Sequence, residues 1–143
     1  MKVTKEITFD SAHMLSNYNG KCHNLHGHTY KLQVTLEGPV CKEGNSQEMV
    51  MDFNELKQYM DAATNSFDHA IIFSDEAFRS EAENDLLHWA ERYGMNYVII
   101  RNGKSTSEAI ATYLKSIIED MVNLQLVKVS IKLWETPTSF AEV

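Results

Sequence analysis

Apolar and polar residues alternate at the start of the chain, with Val3, Lys5, Ile7 and Phe9 on one side and polar residues on the other, which predicts a strand over residues 2–13. A second alternation runs from His26 to Glu37. There His26, His28, Tyr30, Leu32, Val34 and Leu36 share the inward face, while Thr29, Lys31, Gln33 and Thr35 face outward. One apolar and one polar face describe a half-buried antiparallel strand. Residues 14–25 have no period and carry Asn17, Asn19, Gly20 and Asn24, so they are expected to form a loop. Gly38-Pro39 stops the second strand, and Cys41 to Gln47 is polar.

The period then changes. Asp52 with Glu55 three residues on forms a capping-box pattern, and Phe53, Leu56, Met60 and Ala63 follow as a helical core stripe ending near Asn65. Ser80 and Glu83 repeat the capping pattern before Leu86, Leu87, Ala90 and Tyr93, with Gly94 as the stop and Tyr97–Ile100 as a short strand. A last helix is expected to open at Ser105 or Ser107, with Ser105 and Glu108 as its capping box and Ile110, Leu114, Ile117 and Met121 as its buried stripe. Val127, Val129, Ile131 and Leu133 line one face of a closing strand, and Glu135 is next on that face. Pro137 then turns the chain into a short strand ending at Val143. This order predicts an α+β domain, an antiparallel sheet with helices on one face. The open sheet edges are a liability that assembly with further copies removes.

Composition narrows the classes. With 143 residues and 43% hydrophobic content, a single domain spanning 1–143 with a real core is expected. Met1-Lys2-Val3-Thr4-Lys5-Glu6 has no apolar leader and no run reaches a membrane span, so a cytoplasmic protein with no membrane partner is expected. Cys22 and Cys41 are then expected to be free thiols. A net charge of −7 without a local basic patch argues against a nucleic-acid partner.

The chemistry concentrates in Cys22-His23-Asn24-Leu25-His26-Gly27-His28. Alternation sends His26 and His28 to one face, and Gly27 is expected to leave room above a bound cation. A third ligand is expected from His13, which continues the Ile7, Phe9, Ser11 face of the first strand. Three neutral imidazoles suit Zn2+ at roughly 2.0–2.1 Å and leave its fourth position open, the pattern of a catalytic site. His23 has the wrong parity and reads as a loop residue. Cys22 has two readings that spacing leaves open, a fourth ligand or a separate nucleophile or base. Asp68-His69 reads locally as a turn. A carboxylate at Glu135, ending a buried row, is costly unless it is paired or used.

Four separated motifs carry a resemblance. Cys22-x-x-x-His26-Gly27-His28, with Phe9-Asp10-Ser11-Ala12-His13 before it and Asp68-His69 and Trp134-Glu135-Thr136-Pro137-Thr138-Ser139 after it, resembles the family of 6-pyruvoyltetrahydropterin and 6-carboxytetrahydropterin synthases. Ser105-Thr106-Ser107-Glu108 resembles that family's Pro-Thr-Ser-Glu turn with Ser in place of Pro. The three-residue gap after Cys22 resembles the carboxy, queuosine-pathway branch. The resemblance implies the tunnelling fold, and trimers whose sheets close into a barrel, paired as hexamers, with active sites between subunits. It also implies a zinc-dependent lyase acting on 7,8-dihydroneopterin triphosphate, a small-molecule pterin. Carried over residue by residue, it implies His13, His26 and His28 as zinc ligands, Cys22, Asp68, His69 and Glu135 as catalytic groups, and Glu135, Thr106 and Ser107 on the substrate. Residues 70–104 depart from the family, where this connection is usually shorter, and are expected to be an inserted helix and strand. The family's pyruvoyl branch, in which only triphosphate leaves, a zinc hydrolase using metal-bound hydroxide, and a zinc-stabilised assembly protein with Cys22 as fourth ligand are the competing readings.

Overall fold

The computed structural model of the chain describes residues 1–123 and 125–143. β1 (Lys2–His13) and β2 (His26–Glu37) have the bounds that alternation predicts, and pair antiparallel from Lys2 opposite Glu37 to His13 opposite His26. β5 (Lys128–Thr136) lies antiparallel on the other side of β2, and β6 (Ser139–Glu142) folds back on β5 as a hairpin. The inward row of β2 from Tyr30 to Leu36 has no exposed surface, and it meets Val129, Ile131 and Leu133 of β5. Each such side chain contributes about 1.5–3 kcal/mol of burial.

Two features differ from expectation. Ala70–Phe73 forms a strand, β3, parallel to β1, and β4 (Tyr97–Ile99) is parallel to β3. The sheet is therefore mixed, ordered β4-β3-β1-β2-β5-β6, and residues 70–104 extend it. In β3, Ile72 joins the main core while Ile71 and Phe73 face a second cluster with Leu87 and Ala90. A strand buried on both faces shows no alternation, so its continuous apolar run carries no strand-specific signal.

The second difference is where the helices lie. α1 (Phe53–Thr64) and α3 (Ser107–Val122) cover the core face, burying Leu56, Met60 and Ala63 from one and Ile110, Leu114, Ile118 and Val122 from the other. α2 (Glu81–Tyr93) covers the opposite face through Leu87 and Ala90, so the helices are not all on one side. The α1 stripe omits Phe53, which is half exposed, and Glu55 accepts a bond from Tyr59 instead of closing a box on Asp52. The α3 stripe is rotated from Ile117 and Met121 to Ile118 and Val122. Thr106, not Ser105 or Ser107, caps α3 by accepting from the Ala109 N–H. The α2 caps are as expected, with Ser80 accepting from the Glu83 N–H and Gly94 left-handed at φ 65°. Among the described residues no helix is long and apolar enough to cross a membrane.

Candidate metal centre and active site

The β1–β2 register sets the histidines. His13 stands directly opposite His26, and His28 is opposite Ser11 on the same face, one diagonal step away. The ring centroids are 4.6 Å apart for His13 and His26, 5.2 Å for His13 and His28, and 4.8 Å for His26 and His28. One ring nitrogen from each lies within 4.8 Å of the others. The opposite ring edges are tied down: His13 Nδ1 is 2.6 Å from the Ser105 carbonyl and His26 Nδ1 is 2.8 Å from the Asn24 carbonyl. A carbonyl only accepts, so both Nδ1 atoms carry a proton, which in the neutral ring leaves the lone pair on Nε2. Among the described residues, the Nε2 atoms of His13, His26 and His28 are buried without a hydrogen-bond partner.

Orphaned buried acceptors are costly, and three converging ones form a group that could hold one metal ion. The donor set fits zinc: three imidazoles converge and, among the described residues, no fourth ligand group joins the cluster. Burial lowers the pKa of His13 and of His28, although the nearby Glu135 carboxylate opposes this in both. Burial thus biases His13 and His28 towards the neutral form that a metal ligand takes. Gly27 has a different part from the one its position implied. It lies on the exposed face, where a Cβ would come within 3.3 Å of the Ser11 carbonyl oxygen, so it permits close strand approach and does not open space above the metal.

Glu135 reaches the centre from β5. One carboxylate oxygen lies 3.4 Å from His13 Nε2 and 3.8 Å from His28 Nε2, and the side chain is 29% exposed. It lines a cleft of about 290 Å³ with Tyr18, Thr106, Ser107 and Phe140. Ser107, at the first turn of α3, has a buried hydroxyl with no hydrogen-bond partner among the described residues. Cys22 is half-buried in a single 3-10 turn, Lys21–His23, and its carbonyl accepts the Leu15 N–H at 2.8 Å. Its sulfur stands outside the three-nitrogen cluster. Tyr30 lies beneath the centre with no exposed surface and an unpartnered hydroxyl, 5.6 Å from the His28 ring centre to centre. Burial, with Glu135 and Cys22 nearby, pushes this phenol far above its usual value. Sequence reasoning placed Tyr30 only in the core row, because nothing local marks an orphaned hydroxyl.

Asp68 and His69 are brought together, but not with the histidine trio. Their side chains are 3.1 Å apart, and Asp68 also accepts the Asp10 backbone N–H at 2.9 Å. That backbone bond, with His69, holds the Asp68 carboxyl below the usual carboxylate range. His69 has φ 57°, in the left-handed region, and its N–H bonds the Asp10 carbonyl at 2.6 Å. Its imidazole clusters with the Asp10 carboxylate. By alternation Asp10 projects from the opposite face of β1 to Ser11 and His13, so the pair lies across the sheet from the histidine centre. There it lines an open groove of about 440 Å³ with Asp10, Ala12, Gly27 and Thr29.

Comparison with known proteins agrees over the whole length. The family model described as 6-pyruvoyl tetrahydropterin synthase matches residues 2–143. A 6-carboxy-5,6,7,8-tetrahydropterin synthase from Haemophilus influenzae is 39% identical over 144 residues, covering 99% of this chain and 96% of the relative. An uncharacterized protein from Wolinella succinogenes has the same fold at a TM-score of 0.79 and 23% identity, covering 100% of this chain and 97% of that one. The 6-pyruvoyl tetrahydropterin synthase of Plasmodium falciparum has it at 0.74 and 22%, covering 100% and 96%. A family match over nearly every residue, with a relative 39% identical over 99% of the chain, makes this protein an enzyme of the 6-pyruvoyl tetrahydropterin synthase family.

Proposed function

We propose that the chain is a zinc-dependent lyase that converts 7,8-dihydroneopterin triphosphate and one water to 6-carboxy-5,6,7,8-tetrahydropterin, acetaldehyde and triphosphate, a step in making 7-deazaguanines such as queuosine. The observation that carries the zinc reading is the convergence of three buried, unpartnered Nε2 atoms from His13, His26 and His28. The carboxy product is supported by the three-residue gap after Cys22 and by the similarity to the 6-carboxy-5,6,7,8-tetrahydropterin synthase of Haemophilus influenzae.

Zinc held there would polarise the oxygens of the substrate side chain, making the adjacent C–H protons more acidic. Glu135 accepts the two adjacent N–H donors of the pterin's amino-pyrimidine edge, a charge-assisted bidentate pair that fixes the ring. Thr106 and Ser107, at the start of α3, line the same cleft and offer hydroxyls to the ring system. Cys22, which stands outside the ligand cluster, removes a side-chain proton as a thiolate. His69, oriented by Asp68, exchanges a proton on the other side.

In one chain the last pair lies on the wrong face of the sheet for that task. Copies of the chain therefore assemble, as a trimer or a pair of trimers, so that Asp68 and His69 of one copy complete the histidine centre of the next. Supplying the purified protein with zinc and 7,8-dihydroneopterin triphosphate tests the reading. Acetaldehyde and a 6-carboxypterin by mass spectrometry are expected, whereas a 6-pyruvoyl product with triphosphate alone would move the chain to the other branch.

A further inference from the structure

Glu83 is an acidic residue with no exposed surface, in the first turn of α2. Burying a carboxylate is expensive, and an apolar side chain would pack there without that cost. Its oxygens are taken up instead by two groups: the Ser74 N–H just after β3, nine residues earlier and 2.7 Å away, and the Ser16 hydroxyl in the loop after β1. The Ser16 oxygen also accepts the Ser80 N–H at 2.8 Å, so the loop is pinned to the start of α2.

The bonds continue towards the histidines. The Ser74 hydroxyl accepts the Ser105 N–H at 3.1 Å, and the Ser105 hydroxyl donates to the Met14 carbonyl at 2.8 Å. The Ser105 carbonyl then accepts the His13 Nδ1 proton at 2.6 Å. Glu83, Ser16, Ser74, Ser105 and His13 are all buried, so water does not compete for these bonds. Bonds to a carboxylate are about twice as strong as neutral ones, which makes Glu83 the strong end of the chain. It holds Ser105 from two directions, through Ser74 on one side and through the Met14–Ser16 loop on the other. Ser105 in turn sets the tautomer and the angle of the His13 ring.

We propose that Glu83 is a positioning residue for the metal centre, fixing through Ser74 and Ser105 the orientation in which His13 presents Nε2. This rests on the zinc reading above, and it gives the 70–104 segment, whose β3 already pairs with β1 at His13, a part in orienting that ligand.

Chelator competition on the full-length protein, with zinc and with cobalt as the probe ions, tests it, alongside thermal unfolding of the metal-free forms. Removing a partner that orients a ligand loosens metal by about 10- to 100-fold. Glu83→Leu and Ser74→Ala are each expected to weaken zinc within that range and to shift the visible absorption of bound cobalt. Glu83→Gln, which keeps an acceptor for Ser74, is expected to restore most of the affinity. Should Glu83→Leu fail to fold, Ser74→Ala decides, since it keeps the buried carboxylate and cuts only the link to Ser105. Unchanged zinc affinity and cobalt spectrum in Ser74→Ala would overturn the proposal. So would an equal loss in a core variant of the same stability, such as Leu32→Ala. A wild-type protein that binds neither ion would instead overturn the zinc reading on which the proposal depends.

Discussion

The position of Asp68 and His69 leads to a quantitative prediction. Their cluster with Asp10 lies on the opposite face of the sheet from the histidine centre, with β1 between them. If the pair works, it works on another copy. Cys22→Ala and His69→Ala should each lower turnover by about 10²–10⁴-fold, the usual contribution of a proton-transfer group. Co-expressed at equal levels, a working site needs a copy with intact Cys22 beside a copy with intact His69. Each condition is met about half the time, so about a quarter of the sites in a closed ring should be restored. Specific activity of the co-purified mixture should then rise at least tenfold above either parent, read by triphosphate release. Wild type mixed with a Cys22→Ala/His69→Ala double variant should also give about a quarter, against about half if each copy carried a whole site. A mixture of the single variants no more active than the average of its parents would refute the reasoning.

Glu135→Gln turns one acceptor into a donor facing another donor, so pterin binding should weaken by about 1–3 kcal/mol or more, read as a raised KM; an unchanged KM and turnover would make Glu135 structural. Cys22→Ala should keep the metal and the oligomer while turnover falls, because the sulfur stands outside the three-nitrogen cluster; lost zinc would make Cys22 a ligand. The metal-free protein should also lose stability in acid. Burial sets His13 and His28 below the ordinary value of 6.5, so the folded chain binds fewer protons than the unfolded one. Their contribution is then full above about pH 6.5 and is lost as pH falls through 6.5 towards the lowered values. Melting temperatures that stay flat over that interval would contradict it.

Much of this architecture is legible in the sequence because alternation is unambiguous where one face is buried and the other wet. β1 and β2 are of that kind, and the phase of their alternation sends three histidines to one side. β3 is not legible, since Ala70-Ile71-Ile72-Phe73 is buried on both faces. In α3, Ile117-Ile118 and Met121-Val122 are adjacent apolar pairs, and periodicity alone does not choose which member turns inward. The face on which His69 lies depends on a left-handed backbone angle and on bonds to Asp10, 59 positions earlier. The Glu83 network and the Tyr30 hydroxyl are likewise products of long-range contact, and no local pattern announces them.

The central claim is that His13, His26 and His28 hold one zinc through Nε2. Anomalous diffraction from zinc-loaded crystals, with metal analysis of the three single alanine variants, tests it most directly. One zinc per chain is expected, bound by the three Nε2 atoms at about 2.0–2.1 Å with a non-protein fourth ligand, and each variant should lose it. Full zinc content in all three variants, or a zinc found instead at Asp10, Asp68 and His69, would contradict the account.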